Sequence, residues 1–342
     1  RMRWTTLFFF SAPASYAFTI SQTQQRSNIC LQAEQDRRAF IASAIATAAI
    51  APSPVDASVG SLPELADTNV VLQGITVEVA DKSQQDAMIK FLLDSFDFKV
   101  LRQRSDGAVT DTWLGFGPEQ MSIPSSFELP VSAFAEYGGH ASIRIRYNSL
   151  TPNVYYESGG KAPGDNIEYL QLGVPTYRVS QMVKNGGNVI DAYGYVNVVS
   201  PAGLPMRTIV GIAPDPMMLV AINCQDLAAS VSFYQQLGFS EQEYPYCRLN
   251  KGAGQFEPPQ PPKSVYMAPS PNSMGVLLLQ NKNKKKKVTP NPAVRGLNLV
   301  YSPSSDDQGA MQLQDPSNVG IDLESYTLFE SLEKSTRVNQ QE

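Results

Sequence analysis

Arginines at alternating positions are the side chains in this sequence best suited to chemistry. Arg144 and Arg146 alternate with Ile143 and Ile145 in the run ASIRIRYN. Because successive side chains of a β-strand point to opposite faces, the two guanidiniums are predicted to share one face, while the isoleucines pack against a helix on the other. A guanidinium is a planar fork of donors that binds two oxygens of a carboxylate, phosphate or sulfated group at once. The spacing therefore predicts an anion-binding surface.

The rest of the composition argues against several kinds of functional site. The chain has 342 residues and a single histidine, His140, which we interpret as a loop residue before a strand. One histidine cannot build a His-rich metal site, and no Ser-His-acid triad can be assembled around it. No glycine-rich phosphate loop follows a strand, and no cofactor is expected. The net charge of −5 argues against nonspecific binding to nucleic acid, which depends on neutralising phosphates.

Four repeats of one sequence pattern must position these residues. The pattern starts with an alternating strand, NVVLQGITVEVAD, which is followed by a helix with apolar residues at helical spacing, SQQDAMIKFLLDSF, and then by three strands. It returns as IEYLQLG with YRVSQMVKNGG, and as MLVAINCQDLAASVSFYQQLGF. The fourth copy, from RGLNLVYSP onward, is eroded, with a short acidic segment where the helix would be. Internal repetition of this kind decides the architecture.

The third copy, INCQDLAASVSFYQQLGF, resembles the opening strand and helix of vicinal-oxygen-chelate (VOC) proteins, and residues 141–189 resemble the middle of glyoxalase I. The resemblance implies an α+β fold of tandem βαβββ modules in which paired modules curl a sheet into a cup. We expect modules one and two to form a first VOC domain over residues 70–215. Modules three and four would form a second over 217–327, followed by a C-terminal tail at 328–342.

Glyoxalase I holds a divalent metal with His and Glu on four strands, and the resemblance implies which positions would do so here. In the first domain they fall at Gly74, Arg144, Ile167 and Arg207, and a slip of one residue would replace Ile167 by Asn166 or Glu168. In the second they fall at Leu219, Leu278, Leu297 and Asp322. One carboxylate cannot hold a catalytic metal. We therefore expect no metal site, and usual glyoxalase I activity is not expected.

Arginines would then replace the metal as the source of fixed positive charge. With one cup assumed for each domain, the candidate ligand-binding set is centred on Arg144 and Arg207 and includes Arg146, Glu78, Tyr169 and Trp113. Two alternatives stay open. The arginines would otherwise form structural ion pairs with Glu78 and neighbouring acids, and Trp113 would be an ordinary core aromatic. Cys224 and Cys247 are interpreted as two buried thiols rather than a disulfide.

Residues 1–57 have the pattern of a targeting leader rather than of a fold. A short apolar run, WTTLFFF, precedes the small-residue site ASYA and Phe18, which resembles the bipartite plastid leaders of diatoms and related algae. Arg37 and Arg38 then precede an Ala-rich segment ending at Ala57, which resembles a Tat signal. The expected location is the thylakoid lumen of a plastid.

A lysine run, with Lys284, Lys285, Lys286 and Lys287 in sequence, joins modules three and four. Such a run is commonly a solvated loop, but it could also dock on an anionic thylakoid surface or the lumenal face of a photosystem. The leading hypothesis is a metal-free VOC-like binding or accessory subunit of the thylakoid lumen. The alternatives are a divergent glyoxalase-type isomerase that uses Arg144, Arg207 and Glu78 on a small anionic substrate, and a small-molecule binding protein.

Overall fold

The part of the chain that the structure describes includes strands from all four predicted repeats. The computed structural model describes residues 70–117, 141–150, 165–189, 195–210, 216–245, 260–271, 273–281, 287–301 and 310–338. All of them belong to the second of two compact units, Val59–Glu342. The first unit, Arg1–Ser58, contains the predicted leader and lies outside the described residues. Within the described ranges, no helix is long and apolar enough to cross a membrane.

The strands and helices occur in the order that the repeated sequence pattern predicts. Module one comprises β1 (Val70–Val79), α1 (Lys82–Phe96), β2 (Lys99–Asp106), β3 (Val109–Gly115) and β4 (Ser142–Asn148). Module two comprises β5 (Ile167–Val174), a 3-10 turn (Thr176–Arg178), α2 (Val179–Lys184), β6 (Asn188–Val189), β7 (Val196–Val199) and β8 (Pro205–Val210). Module three comprises β9 (Met217–Cys224), α3 (Leu227–Gln236), β10 (Ser240–Glu241), β11 (Ser264–Ala268) and β12 (Gly275–Gln280).

Module four comprises β13 (Val294–Tyr301), β14 (Ala310–Gln314) and β15 (Gly320–Ser325), and helix α4 (Tyr326–Thr336) follows it. Residues 302–309, where its eroded helix was predicted, lie outside the described part of the chain. The predicted α+β fold of βαβββ modules is confirmed by this order.

Helix α1 shows why the repeats fold as predicted. The side chain of Asp81 caps its first turn by accepting a hydrogen bond from the backbone N–H of Gln84 at 2.8 Å. Its apolar residues are spaced to form one stripe, and that stripe is buried against the isoleucine face of β4. The prediction that these isoleucines pack against a helix is therefore confirmed; the cluster includes Met88, Phe91, Leu92, Ile143 and Ile145.

Two mixed sheets pair the modules differently from the expectation. The seven-stranded sheet has the order β14-β15-β13-β1-β4-β3-β2, which joins module one to module four. The eight-stranded sheet has the order β10-β11-β12-β9-β5-β8-β7-β6, which joins module two to module three. The predicted domains at 70–215 and 217–327 are wrong in this respect, because each sheet takes one module from each of them. All four opening strands carry the same apolar pattern, so the pattern does not specify which of them pair.

The opening strands make the central contacts of both sheets. Strand β1 pairs antiparallel with β13, and β5 pairs antiparallel with β9. A single apolar cluster includes residues from both sheets and from the helices, so it lies on the face of each sheet that the helices cover. Near the start of β5, Asn166 ties the two sheets together: its Oδ1 accepts from the Asn291 N–H at 2.6 Å and its Nδ2 donates to the Ser317 carbonyl at 3.3 Å.

The predicted C-terminal tail is wrong for residues up to 338, because α4 is an ordered helix packed on the seven-stranded sheet. Ser325 caps the helix by accepting a hydrogen bond from the Leu328 N–H at 3.3 Å. Phe329 is buried, and after the helix ends the Val338 N–H donates to the Leu101 carbonyl of β2 at 3.0 Å. Apolar side chains three positions apart on α4 thus give it a face to bury.

The cysteine expectation is tested at one position. Cys224 is a free, buried thiol, and burial raises its pKa to about 11. Cys247 lies outside the described residues.

Candidate functional site

A small hollow lies on the face of the seven-stranded sheet opposite the shared apolar core; we call it the first hollow. Its volume is about 40 Å³, and it is walled by strands of modules one and four and by helix α4. The polar and aromatic side chains that define it are Gln73, Arg102, Arg104, Trp113, Ser142, Arg144, Asn298 and Glu324. The helix contributes Phe329, Leu332 and Thr336.

Asp111 on β3 neutralises part of the positive charge in this hollow. Its Oδ2 accepts one hydrogen bond from Arg104 Nη2 and one from Arg144 Nη2, each at 2.7 Å. Burial opposes ionisation of Asp111, but its hydrogen bonds and charge interactions with Arg144, with help from Arg104, outweigh burial and lower the carboxyl pKa below its ordinary value. The structural ion pair that the sequence left open as an alternative is therefore present, with Asp111 as the acid.

Trp113 is the aromatic centre of the first hollow. Its ring lies 4.2 Å from the Arg102 guanidinium carbon, 5.0 Å from that of Arg144 and 5.9 Å from that of Arg104. A cation within about 6 Å of an indole ring is attracted by its negative face, and the attraction is larger when both are desolvated. Trp113 is buried, as is Arg144. Trp113 thus lines the hollow and also holds the arginines.

Arg146 on β4 and Glu78 on β1 were predicted to belong to the ligand-binding set, but they do not line the first hollow. Arg146 is half-buried and stands in register with Glu78 of β1 and with Asp111 of β3. Burial lowers the pKa of Arg146, while Asp111 and Glu78 oppose that shift. Glu324, which does line the hollow, has a raised carboxyl pKa because burial outweighs the nearby charges of Arg144 and Arg102.

A second, much larger hollow lies against the eight-stranded sheet; we call it the second hollow. Its volume is about 1070 Å³, slightly above the roughly 300–1,000 Å³ that is typical of small-molecule sites. Its walls combine apolar groups with charged and amide groups. The residues that define it are Asp165, Glu168, Tyr169, Arg207, Asn223, Leu227, Pro261, Pro262, Lys263, Leu279, Gln280 and Asn281.

Arg207 is one of two cations that line the second hollow, and the other is Lys263. Its guanidinium carbon lies 3.9 Å from the ring centroid of Tyr169 and 5.4 Å from that of Tyr195. Its Nε donates to Asn197 Oδ1 on the neighbouring strand at 3.0 Å. The pKa of Tyr169 is raised far above its ordinary value, mainly by burial and to a smaller extent by the neighbouring Tyr244, while Arg207 opposes the shift. The phenol therefore stays neutral and the guanidinium lies over a neutral ring.

The floor beneath Arg207 is aromatic. Tyr169, Tyr195, Tyr244 and Tyr266 belong to one buried cluster on this face of the sheet. The Tyr244 hydroxyl donates to Gln171 Oε1 at 3.4 Å, which satisfies a polar side chain in an otherwise apolar region. Burial raises the pKa of Tyr244 strongly. The floor is packed and neutral, so the charged groups of this site are confined to its walls.

Two carboxylates, Glu168 and Asp165, also line the second hollow. Glu168 is exposed at an irregularity between β5 and β9, and its Oε2 accepts from Asn223 Nδ2 at 2.8 Å. Asp165 Oδ1 accepts from the Thr289 N–H at 2.7 Å. Both acids are therefore fixed in position by neutral donors.

The predicted ligand-binding set is divided between the two hollows. Arg144 and Trp113 line the first, while Arg207 and Tyr169 line the second. The prediction of one pocket centred on Arg144 and Arg207 is wrong, because β4 and β8 belong to different sheets. Glu78 on β1 does not line the second hollow with Arg207.

Sequence reasoning missed two arginines of the first hollow. Arg102 and Arg104 are separated by one residue in FKVLRQRS, the same alternation that identified Arg144 and Arg146. That signal was present in β2, but only the pairing of β2 with β3 shows that these side chains reach Trp113.

The residues at the implied metal positions do not suit a cation. Arg144 and Arg207 place a guanidinium in each hollow, which repels a divalent metal. Ile167, Leu278 and Leu297 lie in the apolar core on the opposite face, so the ungapped register is wrong at these three positions. At the start of β5 the one-residue slip to Glu168 gives the residue that lines the second hollow. Asn298 rather than Leu297 lines the first hollow. Among the described residues, no three His, Cys, Asp or Glu side chains are grouped so as to hold a metal ion; His140 lies outside them.

The lysine run is described only at its end. Lys287 is exposed, whereas Lys284, Lys285 and Lys286 lie outside the described residues.

Comparison with known proteins identifies the architecture. No family model matches the chain, and no curated protein sequence matches it. The solved structure of glyoxalase I from Zea mays matches with 15% identity and a TM-score of 0.56, covering 79% of this chain and 97% of that one. A mutant of the same maize enzyme matches with 16% identity and a TM-score of 0.55, covering 79% and 97%. Across these matches the likeness is one of fold, so the chain has the glyoxalase (VOC) fold in tandem form.

Proposed function

We propose that this chain is a metal-free VOC-like binding protein that takes a small organic anion in the second hollow. One observation carries the proposal: Arg207, whose guanidinium carbon lies 3.9 Å from the Tyr169 ring centroid, lines a space of about 1070 Å³. The other walls are apolar and amide groups, Lys263 and two acids held by hydrogen bonds. A fixed guanidinium binds a carboxylate or sulfonate by two parallel hydrogen bonds. The leucine and proline walls suit the apolar body of the same molecule.

The test uses anilinonaphthalene sulfonate, a fluorescent probe that combines an aromatic body with one anionic group. We expect saturable, one-to-one binding to the full chain. Arg207→Met keeps the length of the stem but removes the charge, and it should weaken binding by at least about tenfold, since hydrogen bonds to charged groups contribute about 1.5–3 kcal/mol. Lys90→Met is the control, because it removes the same charge from an exposed position on α1. Equal binding by all three proteins would reject Arg207 as the anchor.

A divergent glyoxalase-type isomerase is the second candidate, and Glu168 favours it. This carboxylate faces the same hollow as Arg207. A base and a fixed cation in one hollow are the minimum needed to move a proton next to a carbonyl group. The test is turnover of the hemithioacetal of methylglyoxal and glutathione. Turnover that is lost in Glu168→Gln, while probe binding is kept, would establish the enzyme and displace the binding protein.

We further propose that the protein works in the thylakoid lumen as an accessory subunit, on the basis of the leader pattern and the lysine run. A reporter fused behind residues 1–57 should reach the lumen of a diatom plastid. Replacing Arg37 and Arg38 by lysine should stop it before the thylakoid membrane. If the lysine run docks the protein on a photosystem or an anionic membrane surface, washing thylakoids with salt should release it, because exposed charges are screened by salt. Protein that is already free in the lumen extract would exclude docking.

A further inference from the structure

The second hollow contains a cation and an acid that do not neutralise each other. Arg207 and Glu168 both line it. Arg207 donates to the amide oxygen of Asn197 at 3.0 Å, and Glu168 accepts from the amide nitrogen of Asn223 at 2.8 Å. Within the described part of the chain these two side chains form no ion pair with each other. Each is held by a neutral amide instead, so both charges remain available to a ligand.

Strand geometry brings these two charges close to the same phenol. Arg207 on β8 pairs with Gln171 of β5, three positions after Glu168. Its guanidinium carbon nevertheless lies 3.9 Å from the ring centroid of Tyr169, the residue that directly follows Glu168. Burial and Tyr244 are the main causes of the raised pKa of Tyr169; Arg207 lowers this pKa and Glu168 raises it. Both charges therefore act on one hydroxyl, and the gap between them is short enough for a small molecule to span.

Glu168 is the lining acid with capacity for a further donor. It is exposed at the irregularity where β5 leaves the regular ladder with β9. Only its Oε2 accepts a hydrogen bond from a described residue, and an ionised carboxylate has two oxygens that accept. The second lining acid, Asp165, is already engaged, because its Oδ1 accepts from the Thr289 N–H at 2.7 Å and from the Thr289 hydroxyl at 3.1 Å. An ammonium group entering the hollow would therefore be received by Glu168.

We propose that the ligand of the second hollow is a zwitterion, an α-amino acid with an apolar side chain, whose carboxylate binds Arg207 and whose ammonium group binds Glu168. This inference rests on the proposed function, because the carboxylate is the anionic group that Arg207 anchors. Leu227 and Leu279 line the same hollow and suit the apolar side chain. A ligand with negative charge alone would be repelled by Glu168, so this acid determines specificity for the zwitterion.

The test compares three ligands that share one phenylethyl group. L-phenylalanine carries both charges, 3-phenylpropanoate carries only the carboxylate, and phenethylamine carries only the ammonium group. Each is titrated into the full-length protein by calorimetry at neutral pH and constant ionic strength. We expect L-phenylalanine to bind about fivefold more tightly than either of the others, a modest factor because solvent screens an ion pair to the exposed Glu168. Equal affinities for L-phenylalanine and 3-phenylpropanoate would overturn the zwitterion and leave the anion site standing.

A pair of variants assigns the ammonium group to Glu168. Glu168→Gln should weaken L-phenylalanine and strengthen 3-phenylpropanoate, so that the preference between them disappears. Glu330→Gln is the matched control, because it makes the same change in an exposed pair on α4 that does not line the second hollow, and it should keep the preference. A preference that survives Glu168→Gln would refute the inference. Binding of anilinonaphthalene sulfonate without binding of L-phenylalanine would refute the zwitterion alone, whereas binding of none of these ligands would refute the proposed function as well.

Discussion

Removal of the Asp111 charge is the perturbation whose size the structure fixes best. The Asp111 side chain has no exposed surface, and it holds Arg144, whose side chain is 9% exposed, at 2.7 Å. Removing one partner of a buried ion pair costs about 3–5 kcal/mol, because the other charge stays buried without compensation. The second partner, Arg104, is 31% exposed and can recover solvent, so it adds little. We therefore expect Asp111→Asn to lower the free energy of unfolding by about 3 kcal/mol.

The assay is urea unfolding of variants that also carry Trp4→Phe, followed by Trp113 fluorescence and by far-ultraviolet circular dichroism. The midpoint should fall while the slope with urea stays unchanged, which is the signature of lost stability without a change in exposed surface. Asp86→Asn is the matched control. Its partner Lys82 lies 3.3 Å away in a pair that is more than half exposed on both sides, so the loss should stay below about 0.5 kcal/mol. If Asp111→Asn costs no more than Asp86→Asn, the first hollow does not depend on this carboxylate and the electrostatic reasoning is refuted.

Three further predictions concern pH, backbone space and metal. Burial raises the pKa of Asp315 to about 6, so the folded state binds the proton of this carboxyl more readily than the unfolded chain does. The protonated carboxyl therefore contributes its full stabilisation below about pH 4, and this stabilisation is lost as the pH rises through 6. Asp315→Asn should remove a pH-dependent difference of about 3 kcal/mol between pH 4 and pH 7, and identical pH profiles of stability would refute this. In Gly74→Ala the new Cβ would lie 1.9 Å from the Ser142 carbonyl oxygen, so folding should fail, whereas Gly107→Ala has open space and should cost about 1 kcal/mol for its positive φ; equal stability of the two variants would be the contrary result. Dialysis against a chelator should leave the melting temperature unchanged, and a fall of several degrees would reveal a structural metal.

The periodicity of apolar residues predicted the strands and helices correctly, but it did not predict which strands pair with each other. The strand alternation of Arg144 and Ile145 and the helical stripe of Met88 and Phe91 follow from geometry within one element, which is local in sequence. Pairing of β1 with β13 rather than with β5 is a contact between distant segments that carry the same apolar pattern. No property of either strand alone distinguishes those choices, so the division of the arginines between two hollows required the structure.

Helix α4 was missed for a different reason. A chain end after the last recognised strand was interpreted as a tail, although Ser325 is a favourable N-cap and Glu330 and Lys334 form a helical pair at 2.8 Å. Those local signals predict a helix. They do not predict that Phe329 covers the arginine cluster, because that contact depends on where β15 ends in the sheet.

The most direct test of the central claim is a crystal structure of the full chain soaked with para-bromobenzoate, measured at the bromine absorption edge. We expect an anomalous peak within the second hollow, with the carboxylate of the same molecule in hydrogen-bond contact with Arg207. A divalent metal ion held by protein groups in either hollow, or bound bromobenzoate that does not touch Arg207, would contradict the account.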